Sequence, residues 1–261
     1  MLVAVQAQAT EPADYQGAAA ALAQYKSAME KLDLTGVEAL IRWEHPERGL
    51  LNPGEFIRVA EETGLIVPMG AWVLDQSCRQ IMRWQASIPD LGPLKISVNL
   101  SGRQLAHPNL VADVKQIITD THINPSQVEL EITESVLMDD VEVSEDALGQ
   151  LKKLGVKLAV DDFGTGYSSL SYLRRFPVDV LKVDRSFVDG LGEDPSDSAI
   201  VTAIITLAHT LGLSAVGEGV ETQTQLDELR HLGCDMAQGF LMARPGTGHD
   251  VEELLARRPT W

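Results

Sequence analysis

From Gly36 onward, short apolar runs alternate with longer stretches of helical periodicity, and that alternation leaves few folds open. The short runs are Val37–Trp43, Lys95–Leu100, Gln127–Thr133, Lys157–Val160, Val180–Val183, Ser214–Gly217 and Met236–Leu241. Between them lie amphipathic segments. Asn52 is placed to cap Pro53–Glu62, with proline at the first helical position. Ala71–Gln85 and Asn109–Thr119 carry the same period. In Ser196–Leu211 the residues Ile200, Ile204, Leu207, Ala208 and Leu211 share a stripe, and Gly212 is placed as the C-cap. Thr222–Leu232 repeats the pattern and ends at Gly233. Strands separated by helices pair in parallel through crossover connections. The expected fold is therefore α/β, a TIM-like (β/α)8 barrel, which takes roughly 250 residues. Only seven strands are visible, and the eighth should precede Val37. Tyr15–Lys31, rich in Ala, Gln and Lys, reads instead as helix. The first strand is thus expected to be atypical or missing, with residues 1–23 a leader and 24–261 the barrel.

Composition narrows the function. The formal net charge is −17, and no Lys/Arg run offers a groove for a nucleic-acid polymer. Cys78 and Cys234 are far apart, and the histidines form no metal-binding pair. No run reaches the ~20 apolar residues of a membrane span. The expectation is a cytoplasmic protein with reduced thiols and no membrane segment.

Acidic and amide side chains recur at the strand ends: Glu38, Asn99, Glu131, the pair Asp161 and Asp162, Glu218 and Gln238, joined by Lys182. In a parallel barrel the C-terminal strand ends form one face, so these groups converge on one mouth. Carboxylates with an amide and no histidine are hard-oxygen ligands suited to Mg2+ or Mn2+. Adjacent aspartates let one carboxylate bridge two ions while its neighbour binds only the second. Two ions ~3.5–4 Å apart can activate water and stabilise the leaving oxygen of a phosphodiester. The acidic stretch Asp139–Glu145 reads as a solvated helix start, and Glu134 as a helix N-terminal or supporting residue.

The run Gly36-Val37-Glu38-Ala39-Leu40-Ile41-Arg42-Trp43 resembles the signature of EAL domains, the bacterial cyclic di-GMP phosphodiesterases of second-messenger signalling. The resemblance continues through Ser97–Ser101, Glu129–Ser135, Asp161–Leu170, Leu181–Phe187, Glu218–Thr222 and Gln238–Leu241, covering roughly residues 36–245. It implies a metal-dependent phosphodiesterase that hydrolyses cyclic di-GMP to linear pGpG with two ions of Mg2+ or Mn2+ per site. Calcium is expected to inhibit. The metal ligands would be Glu38, Asn99, Glu131, Asp161, Asp162 and Glu218. Lys182 would orient the water and Glu218 would assist its deprotonation. Leu40, Arg42, Asp184 and Gln238 would contact substrate, and Glu221 would anchor the loop that starts at Asp162. A homodimer is implied as well. The alternative within the same resemblance is a non-catalytic cyclic di-GMP receptor. Two departures stand out. The family opens with a strand carrying Tyr-Gln-Pro, which nothing before Glu38 reproduces, and Gly217 stands where Ala is usual. The first strand is therefore expected to be missing, replaced by helix, or supplied by a partner.

Overall fold

The computed structural model describes residues 2–6, 20–28, 33–166 and 173–257. Its strands are β1 (Leu2–Gln6), β2 (Ala20–Ala28), β3 (Asp33–His45), β4 (Gly49–Leu51), β5 (Lys95–Asn99), β6 (Val128–Thr133), β7 (Lys157–Phe163), β8 (Val180–Val183), β9 (Ser214–Gly217), β10 (Met236–Ala237) and β11 (Gly246–Thr247). The α-helices among the described residues are α1 (Ile57–Thr63), α2 (Ile66–Ser87), α3 (Gly102–Leu105), α4 (Leu110–Thr121), α5 (Glu134–Asp139), α6 (Val141–Lys153), α7 (Arg185–Val188), α8 (Pro195–Thr210), α9 (Gln223–His231) and α10 (Gly248–Arg257).

β3 and β5 to β10 run parallel, each paired with the next. β2 closes the ring. It lies antiparallel to β3, with Leu22 opposite Leu40 and Tyr25 opposite Val37, and antiparallel to β10, with Ala28 opposite Met236. The result is a TIM-like barrel whose first strand is present but reversed. This corrects the helix expected over Tyr15–Lys31, of which residues 20–28 are strand. The physical reason is tertiary. Without β2, the facing edges of β3 and β10 would both carry unpaired backbone groups. Satisfying two edges outweighs a helix propensity of a few tenths of a kcal/mol per residue. Outside the ring, β1 pairs antiparallel with β2 and parallel with β11, within the segment expected as a leader. β4 forms a hairpin on β3.

Elsewhere the elements follow their local chemistry. The segment expected as one helix over Pro53–Glu62 breaks at Phe56 into a single turn (Pro53–Glu55) and α1. Asp140 caps α6, Asp194 caps α8, and Thr222 with Gln225 forms a capping box on α9. The stripe expected on α8 is rotated: Val201, Ile204, Ile205 and Ala208 are buried, while Ile200 is exposed. The strand expected over Met236–Leu241 ends at Ala237. The following turn stays attached, because Gln238 N–H donates to the Gly217 carbonyl and Leu241 N–H to the Val220 carbonyl.

The two-residue strand period sorts the barrel. Outward residues such as Val37, Ile96, Leu130, Leu158 and Leu181 join the helices in the main core. Inward, Ala159, Val180 and Val216 form an apolar floor with Met236. Above the floor the inward residues are polar, and they make the site.

Candidate active site at the strand ends

Lys182 is the centre of this polar layer. It is 1% exposed, and its Nζ lies 2.6 Å from Glu218 Oε1, 2.8 Å from Glu131 Oε2, 3.0 Å from Asp161 Oδ1 and 3.9 Å from Glu38 Oε2. Two amides complete the ring. Asn99 Nδ2 donates to Glu38 Oε1 at 2.7 Å. Gln238 Nε2 donates to Glu38 Oε2 at 3.4 Å and also to Glu218 Oε1, while its buried Oε1 has no hydrogen-bond partner among the described residues. Burial alone would lower the Lys182 pKa, but the carboxylates Asp161, Glu131, Glu218 and Glu38 outweigh it and hold the ammonium well above its usual range. Burial pushes the Glu218 carboxyl well up, and the like charges of Asp161, Glu38 and Glu131 add to it against the pull of Lys182.

The aspartate pair needs a local distortion. In a regular strand Asp161 and Asp162 would face opposite sides of the sheet. Here the β7–β8 register shifts between Val160 and Phe163, and Asp162 adopts φ 53°. This β-bulge turns both carboxylates toward the mouth. Ligand atoms of Asp161, Asp162 and Glu218 then lie within 4.8 Å of one another. The cost appears at Asp162, whose carboxyl is raised to about 6 by burial, by Asp161 and by Asp184.

The loop that follows is held from below. Glu134, the first residue of α5, is buried and its Oε2 accepts from Gly164 N–H at 2.8 Å. Gly166 passes so close that a Cβ would sit 2.6 Å from Glu134 Oε1. Among the described residues Glu221 pairs with Arg185, Oε1 to Nη2 2.9 Å. Tyr167 and Ser168 of the loop lie outside the described residues.

Of the groups expected at substrate, Gln238 lies in the carboxylate cluster and Asp184 faces Asp162 while capping α7. Leu40 lines an apolar cavity of about 260 Å³ with Pro53, Ile57, Met69 and Val136, which also reaches Asn99. Arg42 is partly buried, which lowers its pKa, and donates to the Ile41 carbonyl at 2.9 Å. A second, polar cavity of about 260 Å³ holds Glu38, Asp161, Lys182 and Glu218 together with Arg185 and Phe240. Neither of the last two was singled out from sequence, although Arg185 directly follows the strand-end Asp184. Phe240 carries the Arg244 guanidinium 4.9 Å above its ring.

Comparison with known proteins decides the family. The model of a family described as EAL domain matches residues 23–245. The chain belongs to the EAL domain family. It is 49% identical over 223 residues, 85% of this chain, to the bifunctional diguanylate cyclase/cyclic di-GMP phosphodiesterase MucR of Pseudomonas aeruginosa, and covers 32% of that protein. It is 40% identical to the signaling protein YkoW of Bacillus subtilis over 91% of this chain, covering 29% of YkoW. The chain thus spans about a third or less of these relatives. Among solved structures, a cyclic di-GMP complex of the PaMucR phosphodiesterase superposes with a TM-score of 0.82 at 46% identity, covering 88% of this chain and 93% of the other. The EAL domain of Mycobacterium smegmatis DcpA gives a TM-score of 0.74 at 37% identity, covering 92% and 97%. No helix among the described residues of this EAL domain is long and apolar enough to cross a membrane.

Proposed function

We propose that this EAL domain is a divalent-metal-dependent phosphodiesterase that hydrolyses cyclic di-GMP to linear pGpG. The observation that carries the reading is the contact of one buried lysine with four strand-end carboxylates, set beside a distorted aspartate pair. The likeness to MucR and to the cyclic di-GMP complex of PaMucR supports the substrate.

The donor set fits hard divalent ions. It is all carboxylate and amide oxygen, with Asp161, Asp162 and Glu218 close enough to share an ion and the buried Gln238 Oε1 without a partner among the described residues. Glu38, Asn99, Glu131, Asp161, Asp162 and Glu218 would hold the ions, Mg2+ or Mn2+. When bound, such ions supply Lewis acidity and lower the pKa of water. The chain's own residues do the rest. Lys182 can donate to a water oxygen from a fixed position, since four carboxylates pin its ammonium. Glu218, with its Oε1 2.6 Å from Lys182 Nζ, is placed to take that water's proton. The water oxygen bonds to phosphorus as the P–O3′ bond breaks, and the 3′ oxygen takes up a proton. Leu40, Arg42, Asp184 and Gln238 would contact the dinucleotide. The apolar cavity beneath Leu40 and the Phe240 ring offer surfaces on either side for bases.

Incubation with cyclic di-GMP and Mn2+, followed by chromatography, is expected to yield linear pGpG. Tight binding without turnover would identify a receptor instead. Ca2+ is expected to inhibit, because its looser coordination misplaces the water. The same reading has the domain acting as a cytoplasmic homodimer, and sedimentation at micromolar concentration would expose a monomer.

A further inference from the structure

Arg185 lines the cavity of the reacting groups but has no part in the scheme above. It opens α7, directly after the strand that carries Lys182. Its Nη2 lies 2.9 Å from Glu221 Oε1, and its Nε 3.2 Å from Asp189 Oδ2. Glu221 ends the segment Glu218–Glu221 that leaves β9. Within that segment Gly219 adopts φ 70°, and the Arg185 stem crosses it so closely that a Cβ would come within 2.3 Å of Arg185 Cγ. The segment is therefore gripped at both ends. Glu218 N–H donates to the Val183 carbonyl at 3.2 Å, and Glu221 is tied to Arg185. The 2.6 Å contact between Lys182 and Glu218 spans the same two elements. Arg185 and Glu221 are 51% and 41% exposed, so their pairing contributes little to stability. The segment is also tied through Val220 N–H to the Gln238 carbonyl at 3.0 Å and through Glu221 N–H to Gln225 Oε1 at 2.8 Å.

We infer that Arg185 is a positioning residue: through Glu221 and the bare Gly219 it fixes the segment that presents Glu218 to Lys182. The kinetic consequence rests on the hydrolysis proposed above, whereas the mechanical one does not. The test compares wild type, R185M, R185K, E221Q and the R185M/E221Q double variant in the full chain. Backbone hydrogen exchange of residues 218–222 and steady-state hydrolysis of cyclic di-GMP with Mn2+ are both measured. R185M and E221Q should each speed exchange in that segment and lower kcat by about 10- to 100-fold, as expected for a small misplacement of a reacting group. KM should move by less than ~3-fold, because the loss lies in the chemical step. R185K should retain most of kcat. The double variant should be no slower than the single ones, because both act on the one Arg185–Glu221 contact, R185M by removing the donor and E221Q by removing the acceptor's charge. Melting temperatures should fall by no more than ~4 °C. Unchanged exchange in R185M, or losses that multiply in the double variant, would overturn the inference. If wild type turns over no cyclic di-GMP, the hydrolysis reading fails and exchange alone decides the clamp. Should R185M not fold, E221Q and R185K carry the same comparison.

Discussion

At the scale of single residues, the site is a balance of buried charge. Four carboxylates face one ammonium, so removing Lys182 leaves buried negative charge uncompensated. Lys182→Met should cost about 3–5 kcal/mol in chelated protein. Saturating Mn2+ should return part of that stability, read as a rise in the urea midpoint. Equal stability of the variant and wild type in chelator would contradict this account. Asp162 gives a second handle. Folding raises its pKa from 3.8 to about 6, so across that window the native state holds a proton that the unfolded chain has released. Stability contributed below about pH 4 is therefore lost as pH rises toward about 6. Asp162→Asn should flatten part of that decline in urea midpoints measured with chelator. A variant with the slope of wild type would place the burden on another group, Glu218 being the candidate. The placement of these groups on neighbouring strand ends was legible in sequence because each lies in or beside an apolar run. The bulge that turns Asp161 and Asp162 the same way was not. Nothing in the letters Val-Asp-Asp-Phe marks a left-handed φ, and the alternation rule points the pair apart.

At the scale of elements, close backbone approach explains which glycines matter. A Cβ on Gly239 would sit 2.2 Å from the Val220 backbone N and O, where neither side can yield. Gly239→Ala should therefore cost about 3 kcal/mol or more. Gly217 meets first the methyl end of the Leu229 side chain, at 2.5 Å, which can shift further than backbone atoms can. Gly217→Ala should cost about 1 kcal/mol. Denaturant midpoints at fixed m-value would check both, and the reverse order would contradict the packing described. The parallel strands were legible because each is an apolar run between helices. Ala20–Ala28 was not, since Ala, Gln and Lys favour a helix when their neighbours are unknown. Its pairing partners, β3 on one side and β1 and β10 on the other, make it a strand. The buried face of α8 keeps Ile204 and Ala208 of the expected stripe but departs from it at Ile200 for a related reason. Its apolar residues surround more than one stripe, and the barrel wall selects Val201 and Ile205 over Ile200.

At the scale of the whole molecule, closure of the ring connects fold to site. β2 pairs with β3, which carries Glu38, and with β10, which leads into Gln238, so it joins the two edges of the carboxylate cluster. Deletion of residues 1–28 should open both seams and expose two strand edges. The expected result is loss of a single cooperative unfolding transition, checked by calorimetry. A truncated chain that melts like wild type would show the ring to be dispensable. On the function proposed above, the carboxylates around Lys182 form a divalent-metal phosphodiester centre. Its most direct test is chromatography of cyclic di-GMP incubated with wild type and with Asp161→Ala in Mn2+. Linear pGpG is expected from wild type, with a loss of at least ~10²-fold in the variant. Equal pGpG from both proteins, or none from metal-loaded wild type that still binds cyclic di-GMP, would contradict it.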